Sequence, residues 1–155
     1  FVFEQLQHQC DQLGLDPGRV TLELTETSAM LDAVAALEML TRLRLKGYGL
    51  AIDDFGTGYS SMLQLARLPF SQIKIDKSFV MSMRESAESR KIVESTISLG
   101  RALMLVTVAE GVEDAATLDE LRALGCDRAQ GYHLARPMDG DAARDWLRSH
   151  RTLAA

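Results

Sequence analysis

The chain alternates short β-prone runs with amphipathic helical stretches, and this alternation limits the possible folds more than any other feature. The β-prone runs are 20–24, 49–53, 73–76, 105–109 and 128–130. Strand-then-helix units in series predict parallel strands joined by right-handed helical crossovers. The fold class is therefore α/β, either an open doubly wound sheet or a β/α barrel.

Glycine, proline and capping residues predict where the helices lie. One apolar face, ended by Gly47, is formed by Met30, Val34, Leu37, Leu40 and Leu43. Further helices are expected over 4–13, from 60–61 to Pro69, around 92–103, around 118–124, and after Asp139 or Asp141, either of which can act as the N-cap.

Polar residues stand at the carboxyl end of each predicted strand. They are Glu23 with Glu26, Asp53 with Asp54, Lys74 with Asp76, Glu110 with Glu113, and Gln130. In a β/α barrel the strand ends converge on one face, so side chains from separate strands can meet around one ligand. A single acidic residue could instead cap the following helix. Helix capping is a weak explanation for all five positions together, so the barrel is favoured.

The adjacent carboxylates Asp53 and Asp54 indicate a cation site, because their repulsion is costly unless a positive charge offsets it. Hard divalent ions prefer such oxygen ligands, and a two-metal site would use one carboxylate as a bridge. Lys74 and Asp76 are two residues apart, so on a strand both would face the same side. We therefore expect Lys74 to share the site rather than to be a surface lysine.

The loop that follows, 55–61, contains Gly56 and Gly58, which permit tight turns and a close approach to a ligand. It lacks the spacing of a dinucleotide fingerprint and the lysine of a phosphate-binding P-loop. A plain strand-to-helix turn and an active-site loop both remain open.

Composition excludes several classes of function. The formal charge of -5 argues against binding a long nucleic acid mainly through cationic contacts to phosphate. Cys10 and Cys126 lack the spacing of a zinc site or a disulfide framework, and we expect reduced, partly buried thiols. The three histidines are scattered, which disfavours a histidine metal site or a Ser-His-Asp triad. Without a signal peptide or a long apolar run, a cytoplasmic location is expected, although a membrane-anchored parent protein stays open.

The motifs at the strand ends together resemble the EAL domain. The matching segments are Glu23–Glu26, Asp53–Ser61, Lys74–Asp76, Ala109–Glu113, Gln130–Tyr132 and Pro137. The resemblance implies a modified, TIM-like β/α barrel. It also implies hydrolysis of the bacterial second messenger cyclic di-GMP to linear pGpG with Mg²⁺ or Mn²⁺, two ions being expected.

The resemblance also implies roles for individual residues. The implied metal ligands are Glu23, Asp53, Asp54 and Glu110, with Asp53 as the bridge. Lys74 would position the water and stabilise charge on the phosphate, and Gln130 and Asp76 would lie near the water, metals or phosphate. Glu26 would anchor the glycine loop. Glu113, Tyr132 and Pro137 are candidates for supporting the substrate or the loop.

Residues 1–155 are interpreted as the C-terminal portion of this domain, with about five of eight strand-helix units. The Glu-Ala-Leu motif and an asparagine are expected upstream, so the chain alone should bind metal poorly and hydrolyse little. The family allows a homodimer and an upstream sensor or diguanylate cyclase domain. Three alternatives stay open: a catalytically silent cyclic di-GMP receptor, an inactive fragment, and an unrelated barrel metalloenzyme acting on a phosphorylated sugar.

Overall fold

The structure is a computed structural model, and it describes residues 2–26, 28, 33–56 and 62–150. Within these ranges one parallel sheet has the strand order β1-β2-β3-β4-β5. The strands are β1 (Thr21–Thr25), β2 (Gly49–Phe55), β3 (Gln72–Ile75), β4 (Val106–Ala109) and β5 (Arg128–Ala129). Strands that are neighbours in sequence are neighbours in the sheet, as in a β/α barrel and unlike a doubly wound sheet. The architecture is therefore a partial β/α barrel.

Helices precede and connect the strands. They are α1 (Val2–Leu13), α2 (Ala33–Leu45), α3 (Met62–Arg67), α4 (Lys77–Ser82), α5 (Ala87–Leu103), α6 (Ala115–Leu124) and α7 (Gly140–Ser149). A short 3₁₀ turn, Pro17–Arg19, leads into β1. No helix in the described ranges combines the length and apolarity that a membrane span requires.

The core lies between the helices and one face of the sheet. Leu50 and Ile52 of β2 are fully buried and pack with Leu40 of α2 in one cluster. A second cluster joins Ile75 of β3 to Val93 of α5 and to other residues of α5 and α6. Each fully buried side chain of this size contributes about 1.5–3 kcal/mol. Since alternate strand residues point to opposite faces, the same packing turns Glu23 and Lys74 towards the other face of the sheet.

The predicted strands and most of the predicted helices are confirmed, with bounds shifted by one residue at β1, β4 and β5 and with larger differences elsewhere. Leu37 is 42% exposed, because the buried stripe of α2 runs through Ala36, Leu40 and Leu43 instead. Helix α4 was not predicted, β2 extends to Phe55, and β3 ends at Ile75. The remaining helix predictions at Met30, at the side chain of Val34 and at residues 60–61 lie outside the described part of the chain.

Two local predictions are confirmed. Asp139 is the N-cap of α7, since its side chain accepts a hydrogen bond from the backbone N–H of Ala142. Cys126 is a half-buried free thiol as expected, whereas the free thiol of Cys10 is fully buried.

Candidate functional site

Four strands bring a lysine and three carboxylates together at the C-terminal edge, the edge of the sheet where the carboxyl ends of the strands lie. Lys74 Nζ is 2.6 Å from Glu23 Oε2, 3.2 Å from Asp53 Oδ1 and 2.7 Å from Glu110 Oε1. Lys74 is buried, with 6% of its surface exposed. The four residues come from β1, β2, β3 and the end of β4, so only the folded sheet assembles this cluster.

The sheet register explains why these side chains meet. Ile73 and Ile75 are fully buried in the core, so Lys74 between them points away from the helices. Glu110 extends the ladder by one residue beyond β4, because its backbone N–H donates to the carbonyl of Ile75 at 3.2 Å. The side-chain position predicted for Lys74 from the period of two is confirmed.

The charge state of Lys74 is set by its neighbours. Burial by itself would lower its pKa, but hydrogen bonds to Glu110 and Glu23 and the charge of Glu110 outweigh burial, so the pKa is raised. Lys74 is therefore protonated at neutral pH. A lysine in this state can donate hydrogen bonds to a phosphate or a water, but it cannot accept a proton as a base.

Asp54 lies at the same edge through an irregularity of the strand. In a regular strand Asp53 and Asp54 would point to opposite faces. The register between β2 and β3 shifts between Ile52 and Phe55, and Asp54 adopts a left-handed conformation with φ of 56°. Asp53 Oδ1 accepts the backbone N–H of Asp54 at 3.0 Å. The irregularity leaves Asp53 on the side of Lys74 while Phe55 returns to the core.

Asp54 and Asp76 form a second group of carboxylates. Partial burial raises the pKa of Asp54, and the charges of Asp53 and Asp76 raise it further. Burial by itself would raise the pKa of Asp76, but hydrogen bonds that Asp76 accepts from Ser78 and Asp54 outweigh burial, so the pKa is lowered. The pKa values of the two neighbouring carboxyls are therefore shifted in opposite directions.

The expected strand position of Asp76 is wrong. Asp76 follows β3 and is the N-cap of α4, where its side chain accepts hydrogen bonds from the backbone N–H and the hydroxyl of Ser78. The helix-capping explanation thus applies to Asp76. Its contact with Asp54 nevertheless keeps it at the C-terminal edge.

Glu26 holds the start of the glycine loop. It is 4% exposed, and its Oε2 accepts the backbone N–H of Gly56 at 3.2 Å. Gly56 has φ of 98°, and a Cβ there would touch Phe79 and Ile92. Residues 57–61 of the loop lie outside the described residues.

The remaining candidates, Gln130, Glu113, Tyr132 and Pro137, are exposed on the loops after β4 and β5. These two loops are bonded to each other: Val112 N–H donates to the carbonyl of Gln130 at 3.1 Å, and His133 N–H donates to the carbonyl of Val112 at 3.0 Å. The structure therefore places the four residues on loops at the C-terminal edge, without contacts to the Lys74 cluster.

Sequence reasoning did not single out Gly131 or Arg136 in the second of these loops. A Cβ on Gly131 would collide with the backbone of Val112, so the two loops approach as closely as they do only because position 131 is glycine. The Gln130-Gly131 pair at a strand end was the available signal. Arg136 lies over the ring of Tyr132.

A divalent metal fits the chemistry of this cluster of carboxylates, although the atom at the centre of the cluster is the Nζ of Lys74. Among the described residues, no group of three or more Asp, Glu, His or Cys side chains is arranged to hold a metal ion by itself. Instead, oxygens of Glu23, Asp53 and Glu110 converge within 3.2 Å of a single cationic atom. Carboxylate oxygens are the ligands that Mg²⁺ and Mn²⁺ prefer. The carboxylate of Asp54 lies beside them, and burial together with the charges of Asp53 and Asp76 raises its pKa.

Comparison with known proteins identifies the family. Residues 1–137 match the family model of the EAL domain, which leaves α7 outside the match. The chain belongs to the EAL domain family. The resemblance recognised in the motifs is thereby confirmed.

Two relatives of this EAL chain come from Pseudomonas aeruginosa. The bifunctional diguanylate cyclase/cyclic di-GMP phosphodiesterase MucR is 47% identical over 128 residues, which are 83% of this chain and 19% of MucR. The cyclic di-GMP phosphodiesterase RocR is 44% identical over 135 residues, which are 87% of this chain and 34% of RocR. The EAL chain thus spans about a fifth and about a third of these two relatives.

Solved structures give the same fold. The PaMucR phosphodiesterase in complex with cyclic di-GMP has a TM-score of 0.88 and 42% identity, and the match covers 91% of this chain and 57% of that one. BlrP1 of Klebsiella pneumoniae in complex with manganese and cyclic di-GMP has a TM-score of 0.80 and 34% identity, covering 87% of this chain and 34% of that one. BlrP1 was also solved with calcium and cyclic di-GMP. These matches show that this chain has the β/α barrel fold of EAL domains.

Proposed function

We propose that the whole protein hydrolyses cyclic di-GMP to linear pGpG and requires a divalent metal, with two Mg²⁺ or Mn²⁺ ions at the C-terminal edge. The observation that carries this proposal is the convergence of Glu23, Asp53 and Glu110 on the buried Lys74. The phosphodiesterases MucR and RocR and the manganese complex of BlrP1 support it.

The chain's own carboxylates would hold the metal. Glu23, Asp53, Asp54 and Glu110 would be the ligands, and the EAL resemblance implies Asp53 as the bridge. Asp53 Oδ1 contacts both Lys74 Nζ and the backbone N–H of Asp54. The left-handed conformation of Asp54 brings two consecutive carboxylates to one edge. When bound, divalent ions lower the pKa of a water and neutralise charge on the phosphate.

Lys74 would act as a hydrogen-bond donor. Its three carboxylate partners keep it protonated and fix the position of Nζ. A fixed cation at this place can orient a water and stabilise the charge that develops on the phosphate. Gln130 and Asp76 are assigned as neighbours of the water, metals or phosphate, and Glu26 as the anchor of the glycine loop through Gly56.

Assays of the whole protein test this function. With Mg²⁺ or Mn²⁺ present we expect pGpG to form from cyclic di-GMP, and an excess of chelator should abolish the reaction. Asp53→Asn removes one carboxylate charge with little change of shape and should abolish it as well. Binding of cyclic di-GMP without any turnover would indicate a receptor instead. Unchanged hydrolysis by Asp53→Asn would indicate a different metal centre.

We further propose that this EAL domain works beside another domain in a cytoplasmic homodimer. The name of MucR joins a diguanylate cyclase and a phosphodiesterase in one protein, and a cyclase or sensor domain upstream of residue 1 is expected by analogy. The sequence that precedes Phe1 tests the domain arrangement. The mass of the whole protein in solution tests the dimer, and a monomeric mass at assay concentration would contradict it.

A further inference from the structure

Tyr132 and Arg136 form a stacked pair in the loop after β5. The guanidinium carbon of Arg136 lies 4.8 Å from the centroid of the Tyr132 ring. Tyr132 is 54% exposed and Arg136 is also exposed. A stacking contact of this kind fixes the plane of the guanidinium, which would otherwise be one of the most mobile groups on a protein surface.

The backbone holds this pair at the C-terminal edge. Gln130 N–H donates to the carbonyl of Ala109 at 2.8 Å, which aligns the start of the loop with the end of β4. The N–H groups of Leu134 and Ala135 both donate to the carbonyl of Gly131, at 3.0 and 3.2 Å. These bonds close a turn that brings Arg136 back over the ring of Tyr132, at the edge where Glu110 meets Lys74.

Arg136 remains available to a ligand. Stacking uses the face of the guanidinium and leaves its N–H edges open for hydrogen bonds. Within the described ranges, Arg136 forms no ion pair with a carboxylate, whereas Lys74 is shared among three. Arg136 is therefore a positive group with unused donors on a loop at the same edge of the sheet as the Lys74 cluster.

The proposed substrate creates a need for such a group. Cyclic di-GMP contains two phosphodiesters, and the Lys74 cluster can act on one at a time. The metals and Lys74 would offset the carboxylates of this edge and hold the phosphodiester that is being cleaved. The second phosphodiester needs a separate partner, and a cation placed within its reach would strengthen binding.

We propose that Arg136, held in position by Tyr132, binds the phosphodiester of the substrate that is not being cleaved. The inference rests on the proposed function and deepens it, since it assigns a binding residue for the distant half of the substrate. A guanidinium matches the oxygens of a phosphate through two parallel N–H···O bonds, and a lysine can partly replace it as a point charge. Arg136 then contributes to substrate affinity and not to the chemical step.

Binding of cyclic di-GMP by the whole protein in Ca²⁺, measured by calorimetry, tests the proposal whether or not turnover occurs. Arg136→Gln should raise the Kd by about tenfold, because it removes a charged hydrogen bond to phosphate. Arg136→Lys should stay within about threefold of the wild type, since the charge is kept. Tyr132→Leu should raise the Kd by about threefold through loss of the stacking contact. Arg42→Gln on the remote helix α2 is the control and should bind like the wild type.

A second substrate separates a binding role from a structural one. Bis(p-nitrophenyl) phosphate contains a single phosphodiester, so Arg136→Gln should hydrolyse it at the wild-type rate while its KM for cyclic di-GMP rises. Equal Kd values for Arg136→Gln and the wild type would overturn the inference. So would equal losses in Arg136→Lys and Arg136→Gln, which would indicate recognition of the guanine base.

The failure of the inference can be told apart from the failure of the proposed function. Binding that is weakened by Arg136→Gln in a protein without turnover would retain the inference and reject the hydrolase. Turnover by the wild type, together with a Kd that Arg136→Gln leaves unchanged, would retain the hydrolase and reject the inference. A wild-type protein that does not bind cyclic di-GMP would overturn both.

Discussion

The sheet has a C-terminal edge and an opposite, N-terminal edge, where the strands begin. Each edge carries an aspartate, and folding shifts the pKa values of these two aspartates in opposite directions. At the N-terminal edge, Asp127 Oδ2 accepts the backbone N–H and the hydroxyl of Thr107, both at 2.8 Å, and these bonds lower its pKa. At the C-terminal edge, burial and the charges of Asp53 and Asp76 raise the pKa of Asp54. Hydrogen-bond donors compensate the first carboxylate, whereas the second faces other carboxylates. The difference separates a structural aspartate from one suited to bind a cation.

The two edges also share an unusual backbone conformation. In the described ranges the non-glycine residues with positive φ are Asp54, at 56°, and Met104, at 57°. Met104 ends α5 and is 91% exposed, so its conformation serves only the turn into β4. Asp54 uses the same conformation to bring a carboxylate to the site. Under the proposed function, the cost of about 1–2 kcal/mol positions a metal ligand at the C-terminal edge, whereas at Met104 it serves a turn.

The largest expected effect is at the centre of the C-terminal edge. Lys74→Met should lower kcat for cyclic di-GMP by about a thousandfold, because it removes a fixed donor to the developing phosphate charge. Steady-state kinetics of the whole protein measure this loss. Lys91→Met, an exposed position on α5, should have wild-type activity. A Lys74→Met protein that keeps the wild-type kcat would contradict the assignment of the chemistry to the C-terminal edge.

Gly131→Ala should destabilise the protein by about 2 kcal/mol, because the new Cβ collides with the backbone of Val112. Thermal unfolding measures the change. Gly140→Ala at the start of α7 is the matched control, since a Cβ there meets nothing within 4 Å. Equal unfolding temperatures for the two variants would show that the loops after β4 and β5 are not in the close contact described.

Asp127→Asn should cost about 1 kcal/mol at neutral pH and leave kcat unchanged. The effect is small because Asp127 is exposed to solvent, which screens its charge. Since folding lowers its pKa, the stabilisation by Asp127 is present above its unfolded pKa of about 3.8 and is lost as the pH falls through the folded value. Unfolding temperatures should therefore differ at pH 7 and converge at strongly acid pH. A difference that persists unchanged in acid would exclude the charge as its source.

The smallest effect is expected at Met104. Met104→Gly should stabilise the protein by about 0.5 kcal/mol, because glycine adopts the left-handed conformation without a steric cost. Unfolding in denaturant measures the gain, and activity should not change. Destabilisation would mean that the side chain of Met104 makes a contact that its exposure does not suggest.

The position of the site follows from sequence, because strand ends of a parallel sheet lie at one edge and side chains alternate. Lys74 and its carboxylate partners could be predicted in this way. The register shift that orients Asp54 could not, since it depends on how β2 pairs with β3. Nor could α4, because Asp76 continues a β-prone run and only the fold shows that it caps a helix.

The limits of periodicity are clear in α2. An apolar repeat of three and four residues fits both Leu37 and Leu40, but only Leu40 is buried. The sheet selects one stripe among overlapping ones, and this choice requires tertiary packing. The stacking of Arg136 on Tyr132 could not be predicted from sequence either, because a four-residue separation in a loop predicts no contact.

The affinity of the whole protein for Mn²⁺ tests the central claim most directly when Asp54→Asn is compared with Asp127→Asn. Both substitutions remove one negative charge with little change of shape, and asparagine tolerates the left-handed conformation at position 54. The account predicts that Asp54→Asn weakens Mn²⁺ binding by at least about tenfold and that Asp127→Asn leaves it unchanged. Equal Mn²⁺ affinities for the two variants would contradict the assignment of the C-terminal edge as the metal site.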